Sequence, residues 1–488
     1  MRHLTLAALL ERSARLHRDR PALIEGSARR TYGEAIDRAR RLASVLARLG
    51  ARPGDRIAVL DHNSADYLET YFACAWAGFA IVPLNFRLAQ RELEAILGEA
   101  EPKALLLGKG FDLRSRAPTV DADERERRIA AAEPAPVTPQ GGEAISAIYY
   151  TSGTSGEPKG VCLSERAVLA AISDALYALA LQPDDVWLHA APLFHLADAC
   201  AIWAITLLGA RHVLLHFEPK AFLETVARER VTQTSLPPTL INLVASAPEA
   251  PGTDFSSLRR ISYGGSPMPD DVYARGTALF GCKLLQAYGV TETAGFVCCR
   301  LPGDSDAPHR SVGWPVPNVS LRVLREDGTE AAPGEPGELV AGGPKLMSGY
   351  WRKPEATAAV LRERSYYTGD IGYRDAAGAH YICDRKKDMI ISGGENVYSA
   401  EVENALAAHP AVFEAAVFGI PDARWGEAVK AVVVLRPGAH VDEAELAAWC
   451  RSRIGGYKVP KSITISADPL PKSGPGKIAK HLLRRIPG

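Results

Sequence analysis

The stretch Tyr149–Val161, YYTSGTSGEPKGV, gathers hydroxyls, bare backbone and a single lysine into one short loop. Thr151, Ser152, Thr154 and Ser155 supply the hydroxyls, and Lys159 the charge. Gly153 and Gly156 let backbone N–H groups approach a ligand closely, which together suits phosphate oxygens. A flexible linker shares the Ser/Gly content. It has no use for the Pro158-Lys159-Gly160 ending or for apolar residues on both flanks. A Walker A loop needs Gly-Lys-Ser/Thr opening a helix, and Pro158 and Gly160 around Lys159 do not fit it. The run AISAIYY, an apolar strand, delivers the loop, and a strand followed by a Gly-rich turn is where an α/β sheet places a phosphate ligand.

The elements that must hold this loop are legible around it. RIAVL (56–60) reads as a buried strand, SADYLETYFACAWAG (64–78) as a helix stopped by Gly78, and FAIVPLN as a strand again. That alternation predicts a parallel sheet covered by helices. Residues 131–145 break the periodicity and read as a loop, and the preceding charge run DERERR reads as a solvated face. From Ser311 to Asp384, short strands and Gly/Pro turns predict a small β-rich subdomain. The remainder has its own helices, SAEVENALAAH and EAELAAWCRSRI, and its own strand, AVVVL, and reads as a compact α+β domain.

Bulk properties narrow the class. A chain of 488 residues exceeds one core and implies two or three structural units. Lys and Arg total 57 against 57 Asp and Glu, which gives no reason to expect nucleic acid or an anionic membrane as partner. The 8 cysteines show neither a CxxC pair nor metal-ligand spacing, as for reduced core residues of a cytosolic protein. The apolar start of MRHLTLAALLERSARLH meets charge too soon for a signal peptide, and ACAIWAITLLGA is too short to span a bilayer. A cytoplasmic protein without a membrane span is expected.

The opening loop closely resembles the phosphate loop of the adenylate-forming superfamily: acyl-CoA synthetases, luciferases and peptide-synthetase adenylation domains. The superfamily's other motifs follow in order over nearly the whole chain. They are APLFH (191–195), YGGSPMP (263–269), AYGVTET (287–293), GELVAGG and SGYW (337–351), YYTGDIG (366–372), DRKKDMIISGGENVYSAEVE (384–403) and PKSGPGKIAK (471–480). The resemblance implies an N-terminal AMP-binding domain over 1–385, built of two α/β sheet subdomains and a small β-rich one. A small mobile α+β C-terminal domain over 386–488 would turn about a hinge at Lys387. It implies an AMP-forming ligase. A substrate carboxylate attacks the α-phosphate of ATP, pyrophosphate leaves, and the acyl group passes to CoA. Such a site needs cations and donors more than a nucleophile, because charge gathers on phosphate oxygens.

Carried over residue by residue, Thr151 and Glu292 match the positions that handle Mg²⁺, a hard cation suited to a hydroxyl and a carboxylate. Tyr288, Gly289 and Thr291 belong to the adenine-side motif, with the Tyr288 ring stacking on the base, and Gly264, Gly265 and Ser266 match the turn facing its edge. Asp370 matches the carboxylate that accepts the ribose hydroxyls, and Arg385 the cation beside it. Lys477 matches the lysine that touches both carboxylate and α-phosphate during adenylation. Gly393 and Gly394 match the narrow passage for pantetheine.

His195 matches the aromatic position beside the reacting carboxylate. The same alignment lines an acyl pocket with Ala197, Ala201, Ser262, Gly265, Ala287, Gly295 and Phe296, residues mostly small enough to admit a ring or a medium chain. Asp198 stands where many relatives carry a small residue, and a carboxylate there could bind an amino or hydroxyl substituent of the substrate. General burial preferences favour the plainer alternative, a carboxylate facing solvent or paired with a surface lysine. Glu165 and Ser399 are further departures, where relatives often have His and usually have Pro. They hint at a specialised branch and keep other acceptors open: nitrite activated for diazotisation of an aromatic amine, or acyl transfer to an amine. Oligomeric state, including a homodimer, is left open.

Overall fold

The computed structural model describes residues 4–138, 140–152, 158–266, 268–300, 311–393, 395–422, 424–472 and 478–484. The architecture is α/β. A seven-stranded sheet runs in the order Gly349–Tyr350, Pro158–Ser164, Ile145–Ser152, Ala80–Pro83, Arg56–Leu60, Ala104–Leu107, Thr119–Val120. From Ile145–Ser152 onward its pairings are parallel, as the alternation of strand and helix predicts. The helix between two of these strands, Ala65–Ala77, begins where the Ser64 hydroxyl accepts the Tyr67 N–H and ends at Gly78 with φ +72°. It is buried almost all round because it lies between layers rather than on a surface.

A second, nine-stranded sheet has parallel strands Lys283–Val290, Arg260–Gly264, Gln233–Ser235, Val186–His189, Arg211–Leu214 and Pro21–Glu25 at its centre. The main core joins the two large sheets through the helices between them, with Phe72, Tyr149, Trp187, Trp203 and Phe296 in one apolar cluster. A five-stranded antiparallel sheet over 320–385 forms the β-rich subdomain. A last sheet, beginning at Ile390–Ser392, has its own core of Val397, Val402, Leu406, Val417, Val433 and Leu446. Among the described residues no helix is long and apolar enough to cross a membrane.

The strands on either side of the Gly-rich loop, Ile145–Ser152 and Pro158–Ser164, are an antiparallel hairpin, and the helix Glu165–Leu179 starts only after Ser164. Both flanks of the loop are apolar, so both can enter the sheet. The run DERERR lies in the helix Ala122–Ala130, and it is not wholly solvated. Arg125 and Ile129, four positions apart, face inward, and Arg125 is 1% exposed and paired with Asp66.

Candidate active site

Four strands bring the first group of candidate residues together. Gly264 pairs opposite Ala287, and a Cβ on Gly264 would fall 2.3 Å from the Ala287 carbonyl oxygen, so only glycine permits this approach. On the adjoining strand, Tyr288 turns its phenol toward the β-rich subdomain. There the strand Ser365–Arg374 alternates buried and part-buried positions, which puts Tyr366, Thr368 and Asp370 on one inner face. Its neighbour His380–Arg385 sets Arg385 opposite Asp370. As a result, Asp370 accepts the Tyr288 hydroxyl at 2.6 Å on Oδ2 and pairs with Arg385 Nε at 2.6 Å on Oδ1. The carboxylate raises the Arg385 pKa, and burial followed by the charge of Asp370 pushes the Tyr288 phenol well above its ordinary value. Asp370 is 3% exposed while the Arg385 side chain is 42% exposed, so the pair opens to solvent on its cationic side.

The second group lies around Glu292, in the short turn Thr291–Thr293. Its carbonyl accepts the Met347 N–H at 2.8 Å, and its Oε1 accepts the Tyr350 hydroxyl at 2.8 Å. Lys159 Nζ sits 5.1 Å from the centre of the same tyrosine ring, a cation–π contact. Thr151 lies opposite Lys159 in the hairpin, its Oγ1 3.5 Å from the Lys159 carbonyl. The SGYW segment docks here because the Trp351 N–H reaches the Gly160 carbonyl at 2.7 Å, and a Cβ on Gly160 would meet Ile148 at 2.9 Å and Tyr150 at 3.0 Å. Tyr366 joins the two groups: burial, then the charges of Glu292 and Tyr350 and more distantly of Asp370, raise its phenol pKa. Glu292 and Thr151 offer oxygen donors that fit a hard divalent cation taking its other ligands from water and phosphate.

Tyr350 and Tyr366 were given no role on sequence, although both sit inside motifs quoted for it. Lys345 was missed outright. Its ammonium is fully buried, pairs with Asp174 at 2.7 Å and donates to the Phe296 carbonyl, fixing the floor beside a candidate pocket residue.

On the acyl side, His195 precedes a one-turn helix, Leu196–Ala199, and its Nδ1 accepts the Ala197 N–H at 3.0 Å. Ala197 is exposed, whereas Ala201, Ser262 and Phe296 are buried and Ala287 and Gly295 part-buried. A Cβ on Gly295 would lie 3.2 Å from Cys200 Cβ, so the helix packs directly on this glycine. Asp198 is not the surface carboxylate of the plainer alternative. It is fully buried, faces neither solvent nor a lysine, and accepts the Trp187 indole N–H at 2.8 Å with His189 Nδ1 3.2 Å away. Its position on the short helix turns it into the nine-stranded sheet.

Gly265, with φ +81°, and Ser266 follow the strand Arg260–Gly264, Gly289 is exposed and Thr291 buried. Gly393 has φ +63°, and a Cβ there would lie 3.0 Å from the Trp425 ring. Burial lowers the pKa of Lys387. Gly153, Thr154, Ser155, Gly156, Gly394 and Lys477 lie outside the described residues, and Ser152 ends its strand.

Next to the expected pivot, Ser399 ties three segments. Its N–H donates to the buried Asp384, and its hydroxyl accepts Lys480 Nζ at 2.6 Å, which also pairs with Glu403 at 2.7 Å. Ser399 is the first residue of its helix, where proline is conformationally tolerated. Ser399→Pro is therefore expected to destabilise the fold by about 1–3 kcal/mol through the lost donor to Asp384, measurable by denaturant unfolding.

Residues 10–351 match the family AMP-binding enzyme, and residues 401–477 match AMP-binding enzyme C-terminal domain. The chain is 41% identical to a feruloyl-CoA synthase of Amycolatopsis sp over 498 aligned positions, covering 99% of each. Its structure is similar to o-succinylbenzoate CoA synthetase from Bacillus subtilis in complex with the acyl-adenylate intermediate, with TM-score 0.89, 32% identity and 98% of each chain covered. It is also similar to the amide bond synthetase McbA from Marinactinospora thermotolerans, with TM-score 0.86, 30% identity, and 98% and 99% covered. On matches that span both its large and its small domain, the chain belongs to the AMP-binding enzyme family of the adenylate-forming superfamily.

Proposed function

We propose that the chain is an ATP-dependent acid–CoA ligase that activates an aryl or medium-chain carboxylic acid as its acyl-adenylate and passes the acyl group to CoA. The observation that carries this reading is the continuous cluster Arg385–Asp370–Tyr288 beside Glu292–Tyr350–Lys159. It sets an acceptor for ribose hydroxyls, an aromatic face for adenine, a carboxylate for a cation and a lysine for phosphate along one edge. Mg²⁺, held through Glu292 with Thr151 near, would neutralise phosphate charge. Thr151 and Lys159 flank the phosphate loop, and His195, by its motif match, would lie beside the reacting carboxylate. The identity to an enzyme named for feruloyl-CoA supports an aromatic acid.

The test is pyrophosphate and AMP formation over a panel of aryl and medium-chain acids, with and without CoA. AMP formation that requires both an acid and CoA, with the acyl thioester as product, is expected. Products of ADP and orthophosphate would overturn the reading. Nitrite-dependent AMP formation without CoA, in the presence of an aromatic amine, would reassign the chain to diazotisation, and amide product from an added amine to acyl transfer.

A further inference from the structure

Asp198 is the first member of a buried chain of polar side chains that leaves the acyl wall and returns to it. Its Oδ1 takes the Trp187 N–H at 2.8 Å and faces His189 Nδ1 at 3.2 Å. His189 Nε2 contacts His212 Nδ1 at 2.9 Å on the neighbouring strand, with the rings stacked 5.2 Å apart. His212 Nε2 contacts Thr206 Oγ1 at 3.1 Å, and Thr206 Oγ1 donates to the Ile202 carbonyl at 2.8 Å. Asp198, His189, His212 and Thr206 are each 0% exposed. Asp198 sits on the helix Leu196–Ala199 and Thr206 on Ile202–Leu208, so the chain grips the segment carrying Ala201 at both ends, with Ala197 adjoining Asp198.

Counting hydrogens shows that these groups are held together for a reason other than bulk. The hydrogen bonds His189–His212, His212–Thr206 and Thr206–Ile202 need one hydrogen each, and two neutral imidazoles and a hydroxyl supply those three. With the threonine hydrogen on Ile202, His212 donates to Thr206 and His189 donates to His212. That leaves the bare Nδ1 of His189 against the carboxylate at 3.2 Å, a buried contact that packs the two groups together without a hydrogen bond. The second carboxylate oxygen of Asp198 has no hydrogen-bond partner, so the tether through Oδ1 is its whole anchorage. Burial, then the charge of His189, pushes the His212 pKa well below its ordinary value, which favours a neutral ring between its two partners.

We propose that Asp198, through His189, His212 and Thr206, is a positioning residue that fixes the short helix bearing Ala197, capped by His195, and the start of the next helix at Ala201, and thereby sets recognition of the acid. The inference rests on the ligase reading and deepens it. Cutting the tether displaces the wall but leaves the nucleotide cluster untouched, so acid and ATP respond differently.

The test measures KM for acid and for ATP separately by pyrophosphate release in Asp198→Ala, Asp198→Asn, Thr206→Val and the double variant Asp198→Ala/Thr206→Val. Asp198→Ala is expected to raise KM for the acid by about 10-fold or more, with KM for ATP within about 2-fold, since small displacements of a positioning wall are felt strongly. Asp198→Asn, which keeps the acceptor for Trp187, should recover most of the loss. Thr206→Val should raise the acid KM as well, and the double variant should fall short of the product of the single effects because both cut one tether. Unchanged acid KM in folded variants, or equal loss for acid and ATP, overturns the inference. Should Asp198→Ala not fold, Thr206→Val and Asp198→Asn decide by the same criterion. A wild-type chain that releases no pyrophosphate with any acid would instead defeat the ligase reading, an outcome visible before any variant is made.

Discussion

Lys477→Ala is expected to slow acyl-adenylate formation by roughly 10²–10³-fold or more, while thioester formation from a supplied acyl-adenylate survives. The charges near the site explain the size. Arg385 is tied to Asp370 at 2.6 Å, and Lys159 is seated over the Tyr350 ring. In the proposed reading both hold parts of the nucleotide, so the charge that builds between an attacking carboxylate and phosphorus depends on a cation brought in for that step. A group needed only in the transition state lowers kcat and kcat/KM together when removed. The second half-reaction begins after pyrophosphate has left and makes no such demand. Acid-dependent exchange of labelled pyrophosphate into ATP reads the first step, and CoA consumption with synthetic acyl-adenylate reads the second. Equal damage to both would contradict the role given to Lys477.

How much of this was readable in advance depends on how far apart the partners lie. The helix Ala65–Ala77 was legible because its cap, its apolar spacing and its stop at Gly78 are all local. The motifs that carry the candidate nucleotide residues were legible because each is short and local in the chain. The hairpin around the phosphate loop was not, since an apolar run after a Gly-rich turn serves a strand or a helix equally well over a few residues. Composition marked DERERR as charged, but only the helical phase shows that Arg125 shares a face with Ile129. The buried pair Lys345–Asp174 joins residues 171 apart, and Asp198 meets Trp187 and His189 from a strand packed beneath its helix. A buried charge announces itself only through such partners, and a single sequence does not say which they are.

Asp370 is expected to dominate ATP recognition, and the structure supplies its internal control. Both carboxylate oxygens are engaged, Oδ2 by the Tyr288 hydroxyl and Oδ1 by Arg385, each at 2.6 Å. An ionised carboxylate has about four lone-pair sites, so ribose hydroxyls can still be accepted, two by the remaining lone pairs or one by displacing the phenol. Asp370→Ala removes the acceptors and leaves the Arg385 guanidinium and the Tyr288 phenol without their partner. Loss of a buried charged acceptor costs about 2–5 kcal/mol, so KM for ATP should rise by roughly 30-fold to more than 10³-fold. Tyr288→Phe keeps the ring for stacking and frees one acceptor, so KM for ATP should move by less than about 3-fold in either direction. Arg385→Lys keeps the charge but not the planar fork and should fall between the two. Initial rates of pyrophosphate release over a range of ATP at saturating acid order the three variants. If Tyr288→Phe proves as damaging as Asp370→Ala, the phenol rather than the carboxylate holds the ribose, and the assignment of Asp370 is lost.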